Sequence, residues 1–285
     1  MRASFIDSSL RPRLLACAIL LSCVLSFYTT ESLAQSLSVS PNRIVFEGRE
    51  NNDQVLVSNA DDDPHSYRVE LLKRRMLDSG KYITVTDGEE LPGELFANDL
   101  VRISPRAFKV DPKSSQTIRL RLTKKKDLPD GEYRSHLRVQ VLPETGTPTL
   151  SEAGKININV KVNYGISIPI IVRQGDLSYS VKVKDMGVSK DASTGETLLN
   201  VEFTREGTRS SYGDIGVTFT DGSGKETLLK FLPGLSLFLP NPSRTFVIPL
   251  DIPAGMALSN GILKVTYREQ ESEGGKIIAE GTKSL

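Results

Sequence analysis

Residues 155–164 constrain the fold of this chain more than any other stretch. Ile156, Ile158, Val160 and Val162 alternate strictly with Lys155, Asn157, Asn159, Lys161 and Asn163. A period of two sets all four β-branched side chains on one face of an extended strand and the polar ones on the other. Such a row is buried either in the chain's own sandwich or in another protein. Short apolar runs with turn residues between them recur on both sides of this stretch. The first runs over 37–46 and stops at Glu47-Gly48, and others follow at 54–58, 66–72, 81–86, 100–104, 107–110, 115–122 and 133–141. No stretch of helical length shows a 3.6-residue period. Strands at this spacing, with Pro and Gly between them, predict an all-β chain of immunoglobulin-like β-sandwich domains.

Tyr164-Gly165-Ile166-Ser167-Ile168-Pro169 leads out of the alternating stretch, and Arg173-Gln174-Gly175-Asp176 reads as a linker. The strand pattern then restarts at 177–183, 198–203, 215–219, 228–231, 244–250 and 262–267. Thr220-Asp221-Gly222 and Ser259-Asn260-Gly261 supply turn chemistry. A weak strand at 276–279 closes the chain. The expected division is a leader over 1–34, a first sandwich over 35–172 and a smaller second sandwich over 173–285. Each is long enough to bury a core of its own.

The leader has the marks of a secretory signal. Arg2, Arg11 and Arg13 precede an apolar run over 14–27, and Ser32-Leu33-Ala34 offers small residues for cleavage after Ala34. Leu20-Leu21-Ser22-Cys23 loosely resembles a lipoprotein box, but apolar Val24-Leu25-Ser26-Phe27 runs on past the cysteine. Both cysteines, Cys17 and Cys23, lie in the leader, so the exported chain carries no disulfide or thiolate chemistry. Loss of Arg2, Arg11, Arg13, Asp7 and Glu31 leaves 33 basic residues against 33 acidic ones. That neutrality gives no reason to expect nucleic acid or an anionic membrane as partner. No later run reaches the apolar length of a membrane span.

Catalytic chemistry finds little support. The two histidines, His65 in an Asp61-Asp62-Asp63-Pro64-His65 turn and His136 on a strand, come without a nucleophile motif. The aspartate run lacks the spaced ligands and bidentate glutamate of a calcium loop. Lys124-Lys125-Lys126-Asp127 reads as an exposed strand end, since no aromatics interleave with it. No catalytic residue, metal site or cofactor is expected, and the chain does not read as an enzyme.

Four segments taken together resemble the PapD-like periplasmic chaperones of the chaperone–usher pilus pathway. Arg43-Ile44-Val45-Phe46-Glu47-Gly48 is similar to the family's first-strand motif. Ile103-Ser104-Pro105, Val110-Asp111-Pro112 and Gln116-Thr117-Ile118-Arg119-Leu120 are similar to its middle strands. Leu128-Pro129-Asp130-Gly131-Glu132-Tyr133, through Leu137-Arg138-Val139 to Pro143, resembles the penultimate strand, and 155–164 falls at the donor strand. The likeness covers roughly residues 37–172. The family's usual Arg-Pro after the donor-strand tyrosine is replaced here by the 165–169 segment.

The resemblance implies two immunoglobulin-like sandwiches set at an angle and a periplasmic location. It also implies a chaperone that holds pilus or fimbrial subunits by donor-strand complementation and passes them to an outer-membrane usher. Ile156, Ile158, Val160 and Val162 would enter the subunit's open groove. Arg43 and Lys161 would hold the subunit's C-terminal carboxylate. An apolar row left open in the free chain would also make self-association a further partnership. The alternative is an exported immunoglobulin-like binding module that recognises a surface glycan or protein.

Overall fold

The computed structural model describes residues 37–143 and 164–285. The leader, and the 155–163 part of the alternating stretch with Lys161 and the four-residue apolar row, lie outside the described residues. The first sandwich is built from β1 (Leu37–Ser40), β2 (Ile44–Phe46), β3 (Asn52–Asn59), β4 (His65–Leu72), β5 (Arg74–Met76), β6 (Tyr82–Thr84), β7 (Val101–Ser104), β8 (Ala107–Val110), β9 (Ser115–Leu122), β10 (Gly131–Val141) and β11 (Gly165–Gln174). One sheet has the order β1-β3-β9-β7 and the facing sheet β2-β11-β10-β4-β8.

The expected single first strand is two strands. Pro41 has no N–H for the ladder, and the chain changes sheets there. β1 pairs antiparallel with β3, whereas β2 pairs parallel with β11, Ile44 opposite Ile170. Pro105 divides β7 from β8 in the same way, and β8 crosses to β4. A first strand shared between two sheets, with a parallel contact to the last strand, gives the immunoglobulin-like topology. Between the sheets, Leu37, Phe46, Val55, Tyr67, Ile118, Leu137 and Ile170 form a core with essentially no exposure.

Residues 165–174 overturn the sequence expectation. The expected exit segment, 165–169, and the first two residues of the expected linker, Arg173 and Gln174, belong to one strand. With Ile170, Ile171 and Val172 they form the ten-residue strand β11, paired with β10 from Gly131↔Gln174 to Gln140↔Gly165. Arg173, expected in the linker, is 8 % exposed. Alternation fails here because the strand is covered on both faces. Ile168, Ile170 and Val172 enter the sandwich core, while Ile171 packs outward with Met76 and Phe238. Strands buried on both faces read as continuous apolar runs. Pro169 is tolerated because the β2 pairing begins only at Ile170.

The second sandwich comprises β12 (Tyr179–Lys190), β13 (Thr197–Gly207), β14 (Ser211–Thr220), β15 (Glu226–Leu237), β16 (Ser243–Pro249), β17 (Ile262–Arg268) and β18 (Ile277–Ser284). Its sheets run β12-β13-β16 and β15-β14-β17-β18. Phe203 anchors the core, its ring 5.8 Å from that of Phe246 and 5.5 Å from that of Tyr267. Strict alternation on β14 made this strand legible: its odd-numbered residues are buried throughout. Among the described residues, no helix is long and apolar enough to cross a membrane.

Phe238 of the second sandwich closes an apolar cluster with Met76, Ile171, Val45 and Tyr82 of the first. Asn241 Nδ2 donates to the Met76 carbonyl at 2.7 Å across the same junction. The β5–β6 hairpin that supplies Met76 and Tyr82 turns at Gly80, whose φ of +81° suits glycine.

Candidate functional site

Arg43 sits in the short connection between β1 and β2. Ile44, its neighbour, lies beside Ile170, so Arg43 emerges next to Pro169 at the junction of the sandwiches. Its side chain is only 8 % exposed. The guanidinium lies 4.1 Å from the ring centroid of Tyr212, a cation–π contact. Nη1 pairs with Glu273 Oε1 at 2.5 Å, and Nε is buried without a partner among the described residues.

Arg43 and Tyr212 line a cleft of about 200 Å³ shared by both sandwiches. Asn42, Arg43, Tyr82 and Pro169 come from the first, and Tyr212, Ser236, Phe238 and Arg244 from the second. Arg244 stands at the β16 end of the cleft, 4.3 Å from the Phe246 centroid. Its Nη1 donates to the Ser236 carbonyl at 2.6 Å, and its Nε is again buried and unpartnered. Two more guanidiniums stand behind the aromatic wall, Arg74 5.1 Å from the Tyr82 centroid and Arg134 4.1 Å from that of Phe238.

Of these four arginines only Arg43 meets a carboxylate among the described ion pairs, that of Glu273. Burial pulls the pKa values of Arg134 and Arg244 down, but a guanidinium stays charged in ordinary solution. Burial also raises the Tyr82 and Tyr212 hydroxyl pKa values, against the pull of nearby arginines, so both rings stay neutral. Buried positive charge without a counter-charge is costly, and an entering anion relieves that cost.

Beside the cleft lies a junction of the opposite kind. Arg173 donates through Nη1 to Glu47 at 2.8 Å and through Nε to Glu132 at 3.3 Å. Glu132, 4 % exposed, also accepts from the backbone N–H of Ser210 at 3.2 Å and from the Ser210 hydroxyl. Burial works to raise the Glu47 pKa, yet the hydrogen bond and charge of Arg173, with Arg209 and Arg43, bring it below the ordinary range. This network ties β10 and β11 to the second sandwich and leaves its charges answered.

His136 lies on β10, 2 % exposed, its ring edge-on to Tyr82 at 4.8 Å. Burial, then the charges of Arg134 and Arg74, lower its pKa to about 3, so it is neutral near pH 7. Neither ring nitrogen has a hydrogen-bond partner among the described residues. His65 instead meets Asp61 at 2.7 Å within the aspartate turn, and Lys113 reaches Asp62 at 3.0 Å.

The structure places Arg43 in this cleft. Lys161, Ile156, Ile158, Val160 and Val162 lie outside the described residues. Sequence reasoning missed Arg244, Tyr212, Tyr82 and Glu273. A lone basic residue opening a strand and a tyrosine in Ser-Ser-Tyr-Gly carry no local signal; only the packing of two sandwiches brings them together.

The chain is similar to pilus chaperones. It shares 17% identity with the YadV chaperone over 88% of this chain and all of that one, with a TM-score of 0.42. For the Pseudomonas aeruginosa CupB2 chaperone the identity is 11% over 87% of this chain and all of that one, at a TM-score of 0.44. A chain of the CsuC–CsuE chaperone–tip adhesion subunit pre-assembly complex of Acinetobacter baumannii shares 14% over 86% of this chain and 97% of that one, at 0.45. No protein-family model and no curated protein matches the chain.

Proposed function

We propose that this protein is a periplasmic chaperone that holds pilus or fimbrial subunits by donor-strand complementation and delivers them to an outer-membrane usher. The observation that carries the reading is Arg43. A guanidinium 8 % exposed, in a cleft short of negative charge, sits where the sequence motif calls for a carboxylate anchor. The subunit's terminal carboxylate would set the register of the incoming strand through charge-assisted hydrogen bonds.

The phase of β11 supports the donor role of the preceding stretch. Ile168, Ile170 and Val172 face the core of the first sandwich, and Ile156, Ile158, Val160 and Val162 share their even-numbered phase. β10 and β11 stay in register to the last described rung, where the Val141 N–H donates to the Tyr164 carbonyl at 3.1 Å. A strand continuing in that phase would prolong the chaperone's own apolar row into the subunit's groove. Each buried Ile or Val contributes about 1.5–3 kcal/mol before ordering costs.

Purification of the protein from the periplasm of its host, followed by mass spectrometry, tests this. Small exported β-rich proteins in one-to-one complexes are expected, and they should be lost on Ile158→Asp. A monomer that ignores such subunits but binds cell-surface glycan or protein would replace the reading with that of a binding module.

A further inference from the structure

We propose that the β5–β6 hairpin is a strap across the junction, seated on His136, and that protonation of this histidine releases it and loosens the two sandwiches. The inference stands on the packing and does not rest on the chaperone reading.

β5 and β6 pair only with each other and belong to neither sandwich. A two-stranded hairpin is marginal in water by itself, so its order depends on what it packs against. On the side of the first sandwich, Met76 and Tyr82 pack with Val45 and Ile171. On the side of the second, Phe238 joins the same cluster and Asn241 Nδ2 donates to the Met76 carbonyl at 2.7 Å. The turn at Gly80 lies so close to Arg244 that a Cβ there would meet its Nη2. Both sandwiches hold the hairpin at once.

Beneath it lies the outer face of β10. Leu137 and Val139 enter the first core, so Glu132, Arg134, His136 and Arg138 share the opposite face. Such a face ordinarily meets water, yet Arg134 is 5 % exposed and His136 2 %. Tyr82 stands edge-on to the His136 ring at 4.8 Å. Arg134 lies against Phe238, and its Nη2 reaches the Leu239 carbonyl at 3.3 Å and the Arg74 carbonyl at 3.4 Å. The neighbour of His136 on its own strand therefore ties the hairpin to the second sandwich.

The free charges around His136 have one sign. Arg134 comes from β10 and Arg74 from β5, and Arg244 stands beyond the neutral Tyr82 hydroxyl. The residues opposite His136 on β4 and β11, Leu72 and Pro169, are apolar. Both carboxylates on this face are engaged, Glu70 by Arg138 and Glu132 by Arg173 and Ser210. A proton on His136 thus adds a further cation to a buried layer, and neither ring nitrogen has a partner there among the described residues. Lifting the hairpin returns water to the ring, and its pKa rises from about 3 to the ordinary 6.5. The lifted form then binds a proton that the seated form refuses. The ratio of lifted to seated chains grows as pH falls from 6.5 towards 3, by up to about tenfold per unit.

The test is amide hydrogen exchange of the purified protein between pH 7 and pH 4, corrected for the intrinsic pH dependence of exchange. Protection of residues 74–84 should fall by up to about tenfold per pH unit below 6.5, while β9 and β14 keep theirs. His136→Leu should abolish that fall, and His65→Leu should retain it. Tyr82→Ala should lift the strap at pH 7. In histidine-labelled protein, where the chain has only two histidines, it should move the titration of His136 towards 6.5, an outcome that stays readable even if His136→Leu does not fold. The inference is overturned if hairpin protection is flat with pH, or is lost only together with that of β9 and β14. It is equally overturned if folded His136→Leu keeps the wild-type profile, or if His136 in Tyr82→Ala titrates as in wild type.

Discussion

Two clusters of arginine span the same junction between the sandwiches, and they are solved in opposite ways. Arg173 is enclosed by Glu47 and Glu132, and Glu132 is in turn satisfied by Ser210, so that every charge has an answer inside the protein. Of Arg43, Arg244, Arg74 and Arg134 only Arg43 is paired with a carboxylate among the described residues, and each has a nitrogen buried without an acceptor. A fully answered network fixes geometry, whereas an under-answered one stores an affinity for an anion. The difference separates a cluster that fixes the junction from one that is left open to an anion.

The largest expected effect strikes the answered cluster. Glu132→Ala leaves Arg173 and the Ser210 donors unpaired in a site where Glu132 is 4 % exposed. A loss of about 3–5 kcal/mol is expected, the usual cost of breaking a buried pair. Denaturant unfolding checks it, and a loss below 1 kcal/mol would erase the distinction between the clusters.

Next in size is a pH effect from the under-answered side. Below pH 6.5 the unfolded chain protonates His136, while the folded chain resists until about pH 3. Stability is therefore full above that window and falls as pH drops through it, by about 1.4 kcal/mol per unit for this group. His136→Leu should flatten the stability curve between pH 6.5 and 4 relative to wild type. Parallel curves would mean that burial and the neighbouring arginines do not hold the histidine neutral.

The smallest effect belongs to Glu47, whose side chain is 55 % exposed. Its pKa is lowered in the folded state, so its contribution is present above the ordinary carboxylate value and disappears as pH falls through the lowered one. Glu47→Gln should cost at most about 1 kcal/mol at pH 7, shrinking in high salt. A cost equal to that of Glu132→Ala would show that exposure does not separate the two carboxylates.

The sandwich cores were legible in the sequence because one face of each strand meets core and the other meets water. β8 and β9 coincide with their expected runs, and β14 shows the alternation throughout its length. Legibility fails where the outer face is covered as well. The two ends of β11, 165–169 and 173–174, were read as exit and linker because Ile170, Ile171, Val172 and Arg173 are all buried and the strand shows no alternation there. β5 was missed because three residues, Arg74 to Met76, give no period, and their pairing partner lies across a turn. Of the cleft residues, Arg43 was singled out through its motif. Arg244 and Glu273 were not, since they lie 201 and 230 positions further along the chain.

The most direct measurement compares capture of exported subunits by wild type and Arg43→Ala, with melting temperatures recorded alongside. If the under-answered cluster is the working site, Arg43→Ala loses capture about tenfold or more while its melting temperature stays close to that of wild type. Wild-type capture by a folded Arg43→Ala protein would contradict the account.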